Sequence, residues 1–105
     1  MEQIDGNRFD EVIEASPGPY LVDFWAAWCT PCIDYGPLIE EVAAERRPNL
    51  GAGALDVAAY PDVAERCGIR TVPAVVVFRD GRIVKRIFGR RTKRFLSEEL
   101  DRLLA

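Results

Sequence analysis

Two cysteines separated by two residues are the part of this sequence best suited to chemistry. Cys29 and Cys32 lie in the segment Trp28–Cys32. Residues three apart on a helix share one face, with Cα atoms about 5 Å apart, which is within the range that a disulfide can bridge. The pair is therefore predicted to alternate between a dithiol and a disulfide, as in thiol–disulfide exchange.

The two cysteines are expected to have different surroundings. The apolar run Tyr20–Trp25 predicts a buried strand before them, and residues after Pro31 have helical spacing. Cys29 then falls at a helix N-terminus, where free N–H groups and the positive end of the helix dipole favour a thiolate. Cys32 lies one turn deeper. We expect an exposed, readily ionised nucleophile at Cys29 and a buried resolving thiol at Cys32.

Two alternative roles for the pair remain open from the residues alone. The cysteines can be small buried hydrophobic residues, or they can belong to a zinc site. Zinc prefers four ligands, but the chain offers only one more cysteine, Cys67, and no histidine. The absence of histidine also excludes Ser-His and Cys-His nucleophile pairs, so acid–base chemistry falls to carboxylates, thiols, lysines or tyrosines.

Asp23 is the candidate general base. It interrupts the apolar run before the cysteines, so we expect a buried carboxyl whose charged form is disfavoured. With no histidine in the chain, this carboxyl is the natural acceptor for a thiol proton. The alternative is a buried polar residue with a purely structural role.

Length, composition and charge limit the class of protein. Residues 1–105 are predicted to form one domain. No apolar run approaches the roughly 18 residues that cross a membrane, and the acidic start lacks the features of a secretory signal. We expect a cytoplasmic monomer without membrane contact. Residues 1–45 hold ten acids and one base, residues 79–105 hold nine bases and four acids, and the sequence pI is near 5.0, so no nucleic-acid partner is expected.

Helices and strands alternate along the chain. Apolar residues spaced three and four apart predict helices, short apolar runs predict strands, and Asp80-Gly81 predicts a hairpin turn. The predicted helices are 8–15 capped by Asn7, 31–46, 61–68, and one capped by Thr92 with Phe95, Leu96, Leu100, Leu103 and Leu104 facing inward. The predicted strands are 20–25, 50–57, 74–78 and 82–88. This order predicts an α/β fold, with a central mixed sheet and helices on both faces.

Several separated motifs resemble the thioredoxin family over essentially the whole chain. The resemblance implies the thioredoxin fold and dithiol–disulfide exchange with protein substrates, with Cys29 as nucleophile and Cys32 as resolving partner. It also implies that no cofactor is bound and that an external NADPH-dependent flavoprotein, similar to thioredoxin reductase, re-reduces the disulfide. The motifs are Val22–Cys32, Pro37, Gly68–Pro73 and Gly89.

The same resemblance implies roles for residues around the cysteines. Pro73 matches a proline whose preceding peptide bond is cis, and Val72 would offer its backbone to an extended substrate peptide. Trp28 and Gly89 match a flat surface beside the nucleophile. Asp23 matches the carboxylate that takes the proton of the resolving thiol.

The sequence departs from the family pattern near the active site. Thr30 stands where glycine is usual, so Thr30 and Pro31 are expected to tune the redox potential. Ile33 and Ala54 stand where lysines are common in the family. These differences leave two alternatives open, namely a specialised electron donor to one partner with a different reductase, and a non-catalytic module that binds other proteins.

The resemblance, which places the hairpin and the last helix beside Cys29, implies that three arginines lie near the groove at this cysteine. Arg90 and Arg91 follow Gly89, and Arg70 lies in the segment that leads to Pro73. Their charges are predicted to steer acidic protein substrates toward the cysteines.

Overall fold

The computed structural model describes residues 1–105 and contains one mixed sheet. Its strands are β1 (Glu2–Gln3), β2 (Tyr20–Trp25), β3 (Gly51–Asp56), β4 (Ala74–Arg79) and β5 (Arg82–Phe88). They lie in the order β1-β3-β2-β4-β5, with β3 parallel to β1 and β2, and β4 antiparallel to β2 and β5. The predicted α/β class with a central mixed sheet is confirmed.

Four helices cover the two faces of the sheet. They are α1 (Phe9–Ala15), α2 (Thr30–Ala44), α3 (Pro61–Arg66) and α4 (Lys93–Leu104). Helices α1 and α3 pack in one apolar cluster with Val22 and Phe24, whereas α2 and α4 pack in a second cluster with Leu21. Because successive strand residues point to opposite faces, β2 presents Asp23 to the side that α2 covers. None of the helices has the length and apolar composition needed to cross a bilayer.

Two of the predicted local signals are confirmed. Asp80 and Gly81 have φ of 54° and 77°, the left-handed backbone that a two-residue hairpin turn requires between β4 and β5. Thr92 caps α4, since its Oγ1 accepts a hydrogen bond from the N–H of Phe95 at 3.0 Å. The hairpin and this cap bring the end of β5 and the start of α4 next to each other.

The prediction that Asn7 caps the first helix is wrong. A 3-10 turn over Gly6–Arg8 precedes α1, and the cap of that turn is Asp5, whose carboxylate accepts from the N–H of Asn7 at 2.9 Å. The cap lies two residues earlier because the 3-10 turn adds three residues before α1. Strand β1 was not expected either, since two residues are too short to show a period.

Two apolar side chains lie at the surface in the first turns of their helices, and one of them, Phe95, was expected to face inward. Ile33 is 52% exposed on the first turn of α2, which leaves the sheet at that point. Phe95 is 37% exposed, and the guanidinium of Arg91 lies 4.8 Å from its ring centroid. Helical spacing placed Phe95 on the inward face, but it lies in the first turn of α4 and remains partly exposed.

Candidate active site

The two cysteines of the C-x-x-C motif form a disulfide at the start of α2. Their Cα atoms are 5.3 Å apart, close to the separation predicted from helix geometry. Cys29 is the N-cap residue, and its Sγ accepts a hydrogen bond from the N–H of Cys32 at 3.2 Å. The first turn of α2 therefore directs an unpaired backbone donor at the Cys29 sulfur, which stabilises negative charge there.

The predicted difference in exposure between the two cysteines is wrong. Cys29 is 5% exposed and Cys32 is 3% exposed. Both pack with Ala26 beside the partly buried Val72, whose carbonyl oxygen lies 3.8 Å from the Sγ of Cys29. A loop distant in sequence thus covers the disulfide. The two sulfurs differ in their position relative to the helix terminus rather than in accessible area.

The loop beside the disulfide has the backbone that the resemblance implied. The Val72–Pro73 peptide bond is cis. The carbonyl of Pro73 accepts a hydrogen bond from the N–H of Gly89 at 2.9 Å, and Gly89 has a φ of 81°, which favours glycine. This bond holds Val72, Pro73 and Gly89 together on one side of Cys29. Trp28, at 73% exposed, is the most exposed large apolar side chain.

The remaining predicted site residues lie at the surface. Thr30, Pro31 and Arg70 are exposed. Arg90 follows Gly89, and its guanidinium lies 4.0 Å from the carboxylate of Asp34 on α2. Arg91 donates to the carbonyl of Phe88 at 3.2 Å and stacks on Phe95, so its side chain is held against the protein.

Asp23 has the buried position that its place in β2 predicted. It is 4% exposed, and its Oδ1 has no hydrogen-bond partner. Burial raises its pKa from 3.8 to about 7, a shift that the amino group of Met1 partly opposes. Lys85 does not compensate for this burial, because its ammonium lies 3.5 Å from the carboxylate of Glu99 on α4.

The structure adds groups near Asp23 that the sequence did not single out. Gln3 and Glu40 line one cavity with Asp23 and the predicted Cys32. Tyr35 is fully buried on α2 and its hydroxyl has no hydrogen-bond partner. Its pKa is raised chiefly by burial, with the Arg91 backbone opposing the shift and the charge of Asp23 adding to it. The only signal for Tyr35 and Glu40 was the helical register of α2, and nothing in the sequence indicated Gln3.

The third cysteine lies apart from the disulfide. Cys67 is buried at the end of α3, in the apolar cluster that includes Phe9 and Val63. Burial raises the pKa of its thiol, opposed by the charges of Arg66 and Arg86. No three His, Cys, Asp or Glu side chains are grouped so that they could hold a metal ion.

A mixed sheet with a disulfide at a helix N-terminus, beside a cis-proline loop, defines a thiol–disulfide oxidoreductase. The thioredoxin family model matches residues 1–102. A thioredoxin of Mycobacterium tuberculosis is 43% identical over 87 residues, which are 83% of this chain and 75% of that protein. A thioredoxin of Staphylococcus aureus is 38% identical over 96 residues, which are 91% of this chain and 90% of that protein. The chain belongs to the thioredoxin family and is a protein-disulfide oxidoreductase.

A third relative joins two activities in one chain. It is the bifunctional thioredoxin reductase/thioredoxin of Mycobacterium leprae, which is 38% identical over 101 residues. The match covers 96% of this chain and 22% of that protein. The similarity therefore lies in one part of the longer protein.

The buried carboxyl of Asp23 predicts a pH-dependent stability. A pKa of about 7 in the folded state, above the ordinary value, means that folding favours the protonated form. Its contribution to the free energy of unfolding therefore falls as pH rises from about 4 to about 7, by about 4 kcal/mol. The variant Asp23→Asn, which cannot ionise, is expected to be more stable than the parent by about 2–4 kcal/mol at about pH 8 and nearly equal to it at about pH 4.

Urea midpoints of the reduced parent and variant, measured at both pH values, test this expectation. A variant that is less stable than the parent at the higher pH would show that the carboxylate of Asp23 is stabilised by contacts in the folded protein.

Proposed function

We propose that this protein reduces disulfides of other proteins through a dithiol–disulfide cycle of Cys29 and Cys32. The thiolate of Cys29 attacks one sulfur of the target disulfide, the other target sulfur leaves as a thiolate, and a mixed disulfide forms. The thiolate of Cys32 then attacks the Cys29 sulfur, the Cys29–target bond breaks, and the second target thiolate leaves. The observation that carries this proposal is the N-cap position of Cys29. Only this sulfur receives a free N–H of the first helical turn.

Asp23 is assigned the role of general base for Cys32. Both residues line one cavity, so a proton can pass from the thiol to the carboxylate directly or through water. A pKa of about 7 suits this role at neutral pH, because the carboxylate is partly ionised and still accepts a proton readily.

Protein substrates are expected to bind beside Cys29. The exposed Trp28 offers an apolar surface, and the backbone of Val72 is available to pair with an extended peptide. Pro73 and Gly89 hold that backbone close to the nucleophile through their mutual hydrogen bond. Arg70 is exposed in the segment that leads to Pro73 and would add a positive charge to this surface. Thr30 and Pro31 occupy the first turn between the cysteines, where they would tune the redox potential.

The disulfide must be reduced again after each cycle. We propose that an NADPH-dependent flavoprotein similar to thioredoxin reductase does this, and that the protein itself binds no cofactor. The fusion of both activities in the Mycobacterium leprae relative supports this partnership. We also propose that the chain acts as a single-domain monomer in the cytoplasm, where target thiols stay reduced.

The exposed Ile33 favours a narrower variant of this function. An apolar side chain directly after Cys32, 52% exposed, adds to the apolar surface that the protein presents near the disulfide. A specialised electron donor to one partner would use such a surface for recognition, whereas the intact disulfide argues against a module that only binds other proteins.

Cysteine variants test the cycle. Cys32→Ser is expected to accumulate a covalent mixed disulfide with a disulfide-bonded substrate such as insulin, because the resolving thiol is absent. Cys29→Ser is the matched control and is expected to form none. The adducts are counted by non-reducing electrophoresis, and the parent is assayed for insulin reduction with NADPH and a thioredoxin reductase. Equal trapping by both variants would overturn the assigned roles, and activity with dithiothreitol but not with the reductase would favour the specialised donor.

Charge reversal tests whether arginines steer acidic substrates. Arg90 lies at the active-site end of the sheet, since Gly89 bonds to Pro73, whereas Arg82 lies at the opposite end of β5 and pairs with Arg79. Arg90→Glu is expected to slow reduction of an acidic substrate roughly two- to fivefold at low ionic strength, and much less at high salt. Arg82→Glu makes the same charge change and is expected to have little effect. Equal rates for the parent and Arg90→Glu at low salt would refute steering.

A further inference from the structure

A cavity of about 220 Å³ lies between the sheet and α2, directly beside Asp23. Its floor is a row of three residues at one level of neighbouring strands, because Gln3 pairs with Ala54 on β3 and Ala54 pairs with Asp23 on β2. Side chains at paired positions point to the same face of a sheet. Ala54 contributes only a methyl group between two longer polar side chains, and this leaves the space open.

Helix α2 forms the roof of the cavity and leaves further space. Gly36 lines it, and a Cβ at this position would meet no atom within 4 Å. Ile33 and Pro37 supply apolar walls, and Glu40 stands at its exposed side. The volume is several times the roughly 30 Å³ that one water molecule occupies in the liquid, so the cavity has room for a small organic molecule.

The polar groups of the cavity are predominantly acidic. Its titratable groups are the carboxyls of Asp23 and Glu40 and the amino group of Met1, and Cys32 of the disulfide also lines it. That amino group already forms an ion pair with Glu40. The Oδ1 of Asp23 is buried and has no partner. Oδ1 is itself shielded, so a guest can meet Asp23 only at the side of the carboxyl that lines the cavity. The lining therefore favours a hydrogen-bond donor with a positive charge, held between apolar walls.

We propose that this cavity binds a primary ammonium group carried on a short apolar stem, with the ammonium donating to the side of the Asp23 carboxylate that faces the cavity and the stem packed between Ala54, Ile33 and Pro37. A lysine side chain of a protein partner and a free alkylamine share this chemistry. A cation beside Asp23 favours the carboxylate over the carboxylic acid, so the guest changes the protonation of the group next to Cys32. The expected effect of the guest on catalysis rests on the proposed role of Asp23 as a base. The binding of the guest does not depend on that role.

The binding is tested with n-propylammonium chloride on the oxidised protein, followed by amide chemical shifts. We expect saturable shifts, with millimolar affinity for so small a ligand, at residues 23, 32–37 and 54. The affinity is expected to be roughly tenfold higher at about pH 8 than at about pH 5.5, because Asp23 is largely ionised only at the higher pH. n-Propanol has the same stem without the charge, and tetramethylammonium has the charge without a donor, so both are expected to bind much more weakly.

Two variants test whether the shifts come from binding in the cavity or elsewhere on the surface. Gly36→Leu fills the cavity from the helix side with a good helix former, and Asp23→Asn keeps the shape but removes the charge. Both are expected to abolish the saturable shifts while their spectra stay those of a folded protein. A short peptide with one lysine that binds more tightly than n-propylammonium would identify a protein partner as the source, and equal or weaker binding would identify a free amine. Shifts that do not saturate, that n-propanol reproduces, or that persist in Asp23→Asn would overturn the proposal.

Discussion

The burial of one carboxyl group in the central strand is the constraint that ties the fold to the chemistry. Asp23 lies on β2 between neighbouring strands, under α2, with an oxygen atom that no protein group satisfies. A charged group in this position is disfavoured by the loss of solvation, which is why its pKa rises to about 7. The same shift costs stability at neutral pH and, in the proposed mechanism, provides the proton acceptor for Cys32. The free energy of unfolding is thus lower at the pH values at which Asp23 is ionised and could act as a base.

Helix α2 shapes the surroundings of both Cys29 and Asp23. Its N-terminus directs the N–H of Cys32 at the sulfur of Cys29, and its body covers Asp23 and positions Cys32 along the same cavity. The loop that carries Val72 closes the site from the other side. One helix therefore fixes the position of Cys29 relative to Cys32, and its packing on β2 sets the position of both relative to Asp23.

The sequence predicted those features that depend on local chemistry. The strand Tyr20–Trp25, the turn at Asp80-Gly81 and the cap at Thr92 follow from residue type and spacing, and the C-x-x-C spacing predicted the disulfide geometry. The burial of Cys29 was missed because Val72, 43 residues away, covers it. Strand β1 was missed because it exists only through its pairing with β3. Long-range contacts of this kind leave no periodic pattern in the chain.

The central claim is that Asp23 is a buried carboxyl with a strongly raised pKa. The most direct measurement is a pH titration of its carboxyl carbon by NMR, with the chain labelled at aspartate and the resonance assigned by its loss in Asp23→Asn. We predict a midpoint of about 7 in the folded protein, set by the pKa of this carboxyl. A midpoint near the ordinary value of about 4 would contradict the claim, because a carboxyl that ionises normally is solvated or paired and cannot act as the base described for Cys32.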